Sequence, residues 1–428
     1  MYQQYKKMLL LLMLAGIGFS SQAQTDTGFI HTDLALNQYL GKVGKQNLGY
    51  IATQYDVSIA EAGIESAKVF PDPELSLGYF DNQQATLQLG RGYNAALSTT
   101  FELGGKRPAR IGLAKSQAEL SKALLQDYFR NLRADAALAY YNALQQYYQY
   151  KVLTDSYRTM KQLADADSIR FKLGAIMEVD ARQSKLEAGT LLNTLYQGEA
   201  DWKTSLVQLN LFMGKEQRDT LALPVGDFEN LNRDFPLMNM IDNAQNNRAD
   251  VVAAKGSKTV AEKTLRLAKA NRKIDLGVNA GLQFNGESTN EIAPTPAYRS
   301  VSAGIAIPLK FSNTYKGELK AAKYTLKQSE VQYQEVLLQI STEVTQAYMN
   351  YEAARKQVAQ YRSGLMTEAE KVLEGKIYSY KRGETSLLEV LNAQRTYNDV
   401  QQNYYQAQYN YAAALINLER SAGIWDLQ

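Results

Sequence analysis

Leu337-Leu338-Gln339-Ile340-Ser341-Thr342-Glu343-Val344-Thr345-Gln346-Ala347-Tyr348-Met349-Asn350-Tyr351 carries apolar residues at alternating spacings of three and four. The alternation extends both ways. Leu326, Tyr333, Ile340, Ala347, Ala354 and Tyr361 fall seven apart, and Leu337, Val344, Tyr351, Val358 and Leu365 form a second series. The pattern breaks at Lys381-Arg382-Gly383. It resumes as Val390, Tyr397, Tyr404, Tyr411 and Leu418, interleaved with Ala393, Val400, Ala407 and Ala414. A 3–4 repeat kept this long winds a helix left-handedly around its neighbours. The two arms therefore read as an antiparallel coiled-coil hairpin with its tip at Gly383.

The hairpin occurs twice. Moving the first arm back by 208 positions gives Ala118, Leu125, Leu132, Ala139, Gln146 and Leu153. Moving the second arm back by 209 gives Ala188, Leu195, Trp202 and Leu209, and Gly174 falls on Gly383. A repeat of this length is a duplicated domain rather than a solenoid unit. The expected organisation is a signal peptide over 1–23, a first repeat over 24–213, a linker over 214–239, a second repeat over 240–423 and a tail over 424–428.

Composition agrees with long helices: Tyr occurs 29 times and Pro 8 times in 428 residues, and Pro breaks helix interiors. The formal charge of +3 is too balanced to point to nucleic acid. Cys is absent, which excludes disulfides, thiolate metal sites and lipidation on an N-terminal cysteine. The single His, His31, reads as a solvated residue of a loose stretch over 24–33. Lys6-Lys7, the apolar run Met8–Phe19 and Ser21-Gln22-Ala23 have the order of a signal peptide, giving a mature start at Gln24.

Helical spacing covers Asp33–Lys68, ended by Pro71 and Pro73, and again about Met240–Ala270. Period two follows each helix. Leu75, Leu77 and Tyr79 alternate with Ser76 and Gly78, and Tyr93, Ala95, Leu97, Thr99 and Phe101 continue the alternation after a polar loop. In the second half Leu276, Val278, Ala280 and Leu282 alternate with Gly277, Asn279 and Gly281, and Val301, Ala303, Ile305 and Ile307 with Ser302, Gly304 and Ala306. One apolar face at period two means strands. Four strands cannot close a barrel in lipid, where open edges are not tolerated, so closure requires several chains; three supply twelve strands. The run Asn313–Glu374 reads as a helix of roughly 90 Å at 1.5 Å per residue, a rod that spans a compartment rather than folding into a globule.

On these features the chain resembles the TolC-like outer-membrane efflux channels over essentially its whole mature length. The resemblance rests on the duplicated order, the two strand pairs and the paired tips. One tip is Tyr380-Lys381-Arg382-Gly383-Glu384-Thr385-Ser386-Leu387-Leu388-Glu389; its counterpart is Phe171-Lys172-Leu173-Gly174-Ala175-Ile176-Met177-Glu178-Val179-Asp180. The resemblance implies a mainly helical fold, with an α-barrel of coiled-coil hairpins and a trimeric twelve-stranded membrane β-barrel. It also implies a periplasmic adaptor and an inner-membrane RND-type pump as partners, outer-membrane lipid around the barrel, no cofactor and no catalysis. Phe101-Glu102-Leu103-Gly104-Gly105-Lys106-Arg107-Pro108-Ala109-Arg110 is similar to the junction of the cobalt–zinc–cadmium and copper–silver branch, which makes heavy-metal cations the expected cargo. Drugs or secreted proteins are alternative cargoes. A structural coiled-coil surface protein is the reading from a different class, and it leaves the paired strands unexplained.

No catalytic constellation is present. Asp180 and Glu389 each lie six residues past a tip glycine, and three chains would bring six such carboxylates to one level. Acidic rings select cations and close constrictions, so these two are the expected tunnel gate, with Arg182, Lys185, Arg382 and Arg395 as candidate partners. Ser386 with Glu389 also fits a capping box. Adaptor docking is expected at the tips, on Arg170, Phe171, Lys172 and Gly174 and on Tyr380, Lys381, Arg382 and Gly383.

Overall fold

The structure is a computed structural model that describes residues 30–84, 87–216, 220–229, 231–310 and 315–426. The expected signal peptide and the start at Gln24 lie outside the described residues. In order, the first half contains β1 (Ile30–Leu34), α1 (Leu36–Gln46), α2 (Leu48–Lys68), β2 (Glu74–Asp81), β3 (Arg91–Phe101), α3 (Lys106–Lys172) and α4 (Glu178–Phe212). β4 (Thr220–Pro224) follows. The second half contains α5 (Leu237–Asn247), α6 (Ala249–Asn271), β5 (Leu276–Asn285) and β6 (Tyr298–Ala306). It continues with α7 (Lys316–Gln360), a π-helical turn (Tyr361–Leu365), α8 (Met366–Lys381) and α9 (Leu387–Ala422).

The heptad residues are the buried ones. Ile340, Val344, Ala347, Tyr351, Ala354 and Val358 face inward from α7, and Val390, Ala393, Ala407, Tyr411, Ala414 and Leu418 from α9. In α3, a helix of 67 residues and about 100 Å, Ala118, Leu132, Ala136, Ala143 and Leu153 do the same. Alanine at so many of these positions lets the helix axes approach closely.

Four elements differ from the sequence reading. The helix expected over Asp33–Lys68 is two, α1 and α2, because Asn47 interrupts it: its side chain accepts the Tyr50 N–H and donates to the Phe212 carbonyl. Likewise Met240–Ala270 splits at Arg248, whose guanidinium bridges Asp250, Glu343 and the Ser421 carbonyl. The stretch around His31 is not loose, since β1 pairs in parallel with β4, Ile30 opposite Thr220 through Leu34 opposite Pro224. The single long helix expected over Asn313–Glu374 is interrupted by the π turn. Its Gly364 has φ +124, a conformation open only to a residue without Cβ.

Two buried tyrosines fasten the non-helical segments to the rods. The Tyr140 hydroxyl lies 2.7 Å from the Val225 carbonyl and accepts the Val225 N–H. The Tyr351 hydroxyl accepts the Arg233 N–H at 2.9 Å and lies 3.1 Å from the Leu231 carbonyl. Around them Leu206, Leu209, Leu415 and Ile416 are fully buried and form the main core.

The four longer strands form one antiparallel sheet in the order β2-β3-β5-β6. Phe101 sits opposite Leu276 and Gly92 opposite Asn285, so the two halves join through β3 and β5. One face is apolar and exposed, with Leu75, Leu77, Leu97, Leu282, Val301 and Ile305 outward. The other carries the polar, uncharged Ser76, Asn94, Ser98, Asn279, Gln283 and Ser302, with Glu74 at the start of β2 opposite Ser98. The Asn94 and Asn279 amides lie over Gly78 and Gly304, where a Cβ would meet them at 2.2 and 2.6 Å. Small residues on this face leave room for the amides. Among the described residues no helix is long and apolar enough to cross a membrane.

Candidate functional site: the hairpin tips and their seam

Both hairpins turn in the same way. Gly174 (φ +73) and Gly383 (φ +78) each follow a helix end. The Gly174 N–H donates to the Phe171 carbonyl and the Ala175 N–H to that of Arg170. Gly383 and Glu384 repeat this pair with Tyr380 and Ser379. This is the Schellman closure, which needs the left-handed conformation at its glycine. Phe171, Lys172, Lys381 and Arg382 are exposed around the turns. The first tip is apolar, with Leu173 77% and Met177 71% exposed, whereas Lys381, Arg382 and Glu384 make the second one charged.

Arg170 and Tyr380 differ from the other tip residues. Tyr380 is buried, not presented at the tip, and its hydroxyl donates to Asp167 Oδ1 at 3.0 Å. Arg170 reaches the same carboxylate oxygen at 3.5 Å and lies over the Tyr380 ring, 4.9 Å from its centroid. Asp167 is fully buried. Burial pushes its carboxyl above the ordinary carboxylate range, against hydrogen bonds from Tyr380 and Ser184 and the Arg170 charge. Burial also raises the Tyr380 phenol, with the Asp167 charge adding to the rise. Met160, Ala164, Ala188, Leu387, Val390 and Leu391 pack around this polar pair. Beside it lies a cavity of about 250 Å³ bounded by α3, α8 and α9. The two hairpins thus meet in an apolar seam with one buried carboxylate. The sequence reading passed over Asp167. Its signal was there: it falls seven after Met160 and fourteen after Leu153, a charge at an apolar heptad position.

The two expected gate acids sit in unlike surroundings. Asp180 is half-buried in the first turn of α4, close enough to the seam that its charge opposes ionisation of Asp167 and Tyr380. Glu389 is exposed in the first turn of α9 and pairs with Lys376 of α8 at 2.5 Å. That ammonium holds its carboxyl below the ordinary value. The expected capping box does not form. Ser386 is the N-cap by backbone conformation, but its side chain makes no capping bond. Arg182 pairs with Glu178, Arg382 with Glu384 and Arg395 with Glu187, rather than with either acid.

A family model described as outer membrane efflux protein matches residues 46–215 and 240–424. The cobalt-zinc-cadmium resistance protein CzcC of Cupriavidus metallidurans is 23% identical over 382 residues, 89% of this chain and 86% of its own length. Outer membrane protein TolC of Escherichia coli is 20% identical over 443 residues, 98% of this chain and 86% of its own. Among solved structures, the Campylobacter jejuni CmeC outer membrane channel superposes with a TM-score of 0.76 at 15% identity, over 91% of this chain and 85% of that one.

Proposed function

Because the chain belongs to the outer membrane efflux protein family, and is a channel rather than an enzyme, we propose that three copies form the exit duct of a tripartite pump for heavy-metal cations. The observation that carries this reading is the sheet. Its outer face is apolar and exposed, and its edges, β2 and β6, have no partner among the described residues. In lipid such edges must be paired, and a neighbour's β2 can pair β6. Three copies supply twelve strands, enough for an open lumen, whereas eight are filled by side chains.

A periplasmic adaptor docks on the exposed tip residues, Phe171, Lys172, Gly174, Lys381, Arg382 and Gly383, with Arg170 at their margin. An RND-type pump in the inner membrane loads the duct. The repeats over 24–213 and 240–423 supply one strand pair and one hairpin each. Asp180 and Glu389 give the tunnel end its cation preference. Support for metal cargo comes from the likeness to a cobalt-zinc-cadmium resistance protein and from the Phe101–Arg110 junction.

The test has two parts. Detergent-extracted protein should have the mass of three chains, and a detergent-free monomer would refute the channel. A strain lacking the chain should become sensitive to zinc, cadmium or cobalt; unchanged tolerance with raised sensitivity to organic drugs would move the cargo to drugs.

A further inference from the structure

The two rims of the sheet differ in charge. At the outer rim, residues 81–84, 87–91 and 285–299 hold three acids and two arginines. At the helical rim, residues 68–74, 101–110, 269–276, 306–310 and 315–320 hold ten lysines and arginines against five acids. Two of those acids are already matched within the chain, Asp275 by Lys106 and Glu102 by Arg110. Lys68, Lys273 and Lys316 are exposed, and Arg107 and Lys310 lie close by.

These cations stand among exposed apolar groups. Phe70 is 64% exposed and Leu309 66% exposed. Phe101 prolongs the apolar face of β3, which the fold assigns to lipid. Two of the cations lie on aromatic rings, Arg107 4.0 Å from the Phe70 centroid and Lys310 4.6 Å from that of Tyr315. Aromatic rings with long cationic side chains laid along them mark the boundary between hydrocarbon and headgroups.

We propose that this rim binds the headgroups of anionic glycerophospholipids in the periplasmic leaflet. The proposal rests on the channel reading for which end faces the periplasm, and it names the lipid that the barrel holds there. Three arguments favour a lipid over a soluble anion. The cations form a band, the band borders the lipid-facing strands without a gap, and its apolar members have nothing to offer a free phosphate. Each Lys or Arg near an anionic membrane surface raises the preference roughly fivefold.

The test offers the detergent-purified full chain equal amounts of phosphatidylglycerol and phosphatidylcholine with identical acyl chains. Retained lipid is counted by native mass spectrometry. We expect at least tenfold more phosphatidylglycerol, falling roughly fivefold per cation removed in Lys273→Gln, Lys316→Gln and their double variant. Neither lysine takes part in an ion pair that the fold uses, and both variants should melt at the wild-type temperature without lipid. Lys106→Gln breaks the buried pair with Asp275 and serves as the contrast: it should lower the melting temperature. Equal retention of the two lipids by the wild type, or a preference that the double variant leaves undiminished, would overturn the proposal. Release of the lipid by millimolar inorganic phosphate would overturn the lipid assignment as well. Conductance in bilayers of neutral lipid reads the channel separately, so a failed preference beside normal conductance is distinct from failure of the channel itself.

Discussion

Replacing Tyr380 with Phe keeps the ring in the seam and removes one hydroxyl. That hydroxyl donates to Asp167 Oδ1 at 3.0 Å; Arg170 stands farther off at 3.5 Å. A hydrogen bond to a charged acceptor contributes about 1.5–3 kcal/mol, and a buried carboxylate stripped of its donor keeps its desolvation penalty. Tyr380→Phe should therefore loosen the seam by about 1.5–3 kcal/mol, roughly 10- to 100-fold in local opening. Asp167→Asn should cost less. It removes the buried charge together with its penalty, and the amide oxygen still accepts the phenol. Once Asn is in place, Tyr380→Phe should lose only about 0.5–1.5 kcal/mol, the cost of a neutral bond. The assay is hydrogen exchange of the detergent-solubilised protein, read at amides 160–172 and 376–392 and at the equatorial segment around Tyr140 and Tyr351 as control. If protection at the seam is unchanged, or falls equally at the equator, the hydroxyl does not hold the hairpins together.

The same seam has a pH dependence of known sign. Burial raises Asp167, so its contribution to stability is fully present below the unfolded value near 3.8 and is lost as pH rises through the folded value. Seam protection, corrected for intrinsic exchange, should therefore fall in the wild type as pH rises above the unfolded value and through the raised folded one, and lose that trend in Asp167→Asn. Glu389 runs the opposite way: Lys376 depresses it, and its contribution is present above about 4.5 and disappears as pH falls through the depressed value. Asp180→Asn with Glu389→Gln should remove cation preference and divalent block from trimers in planar bilayers; unchanged selectivity would return both acids to helix-start roles. A Cβ at Gly174 or Gly383 meets no neighbouring atom within 4 Å, so the main cost of Gly174→Val with Gly383→Val is backbone strain of about 1–2 kcal/mol each. Metal export should be lost while trimers persist, and full export would argue against adaptor docking at the tips. Gly364→Ala strains a φ of +124 by about 1–3 kcal/mol; faster exchange confined to Tyr361–Leu365 is expected, and an unchanged profile would deny the turn its strain.

What could be read from the sequence was what repeats. Ile340, Val344, Ala347 and Tyr351 announce their helix because the same period governs local geometry and burial. Leu75 and Leu77 announce a strand for the same reason. Gly174 and Gly383 were legible as tips because each ends a heptad series at the same place in both halves. Features that depend on one distant partner were not legible. Nothing near Arg248 tells of Glu343 or the Ser421 carbonyl, which hold it where the helix splits. β1 and β4 are five residues each and 190 positions apart, too short for a period to show. Tyr380 looked like a tip residue because it is three positions from Gly383; only the packing of α8 against α3 turns it toward Asp167. The gate acids were placed by symmetry, and symmetry fixed their level but not their neighbours, which is why Lys376 was missed.

The duplicated halves have diverged where it affects motion. Under the 208-residue shift Gly364 corresponds to Ser156, at the same level of the first hairpin. There α3 runs on without a break, and Ser156 is buried and donates its hydroxyl to Asn398 of α9. Asn398 also accepts from Gln394, so the unbroken rod is tied across to the returning arm of the other hairpin. At Gly364 the opposite holds: a Cβ placed there would have no neighbour within 4 Å, and none of the five residues of the π turn is buried. One descending arm is therefore a continuous strut clamped to α9, and the other is two helices joined at a turn anchored through Tyr361, whose ring lies 5.9 Å from that of Tyr404 in α9, with open space at Gly364. A packed strut resists bending along its whole length, whereas a rod with one such turn bends there first. Beyond that turn, α8 is held by the Lys376–Glu389 pair to α9 and by Tyr380 to Asp167 of α3. The first contact is an exposed ion pair, which contributes little because both groups stay solvated; the second is buried. The buried Tyr380 hydroxyl therefore adds a directional bond to the apolar seam of Met160, Ala164, Ile377, Leu387 and Val390 that holds the second tip, and the joint at Gly364 sets where movement begins once that seam loosens.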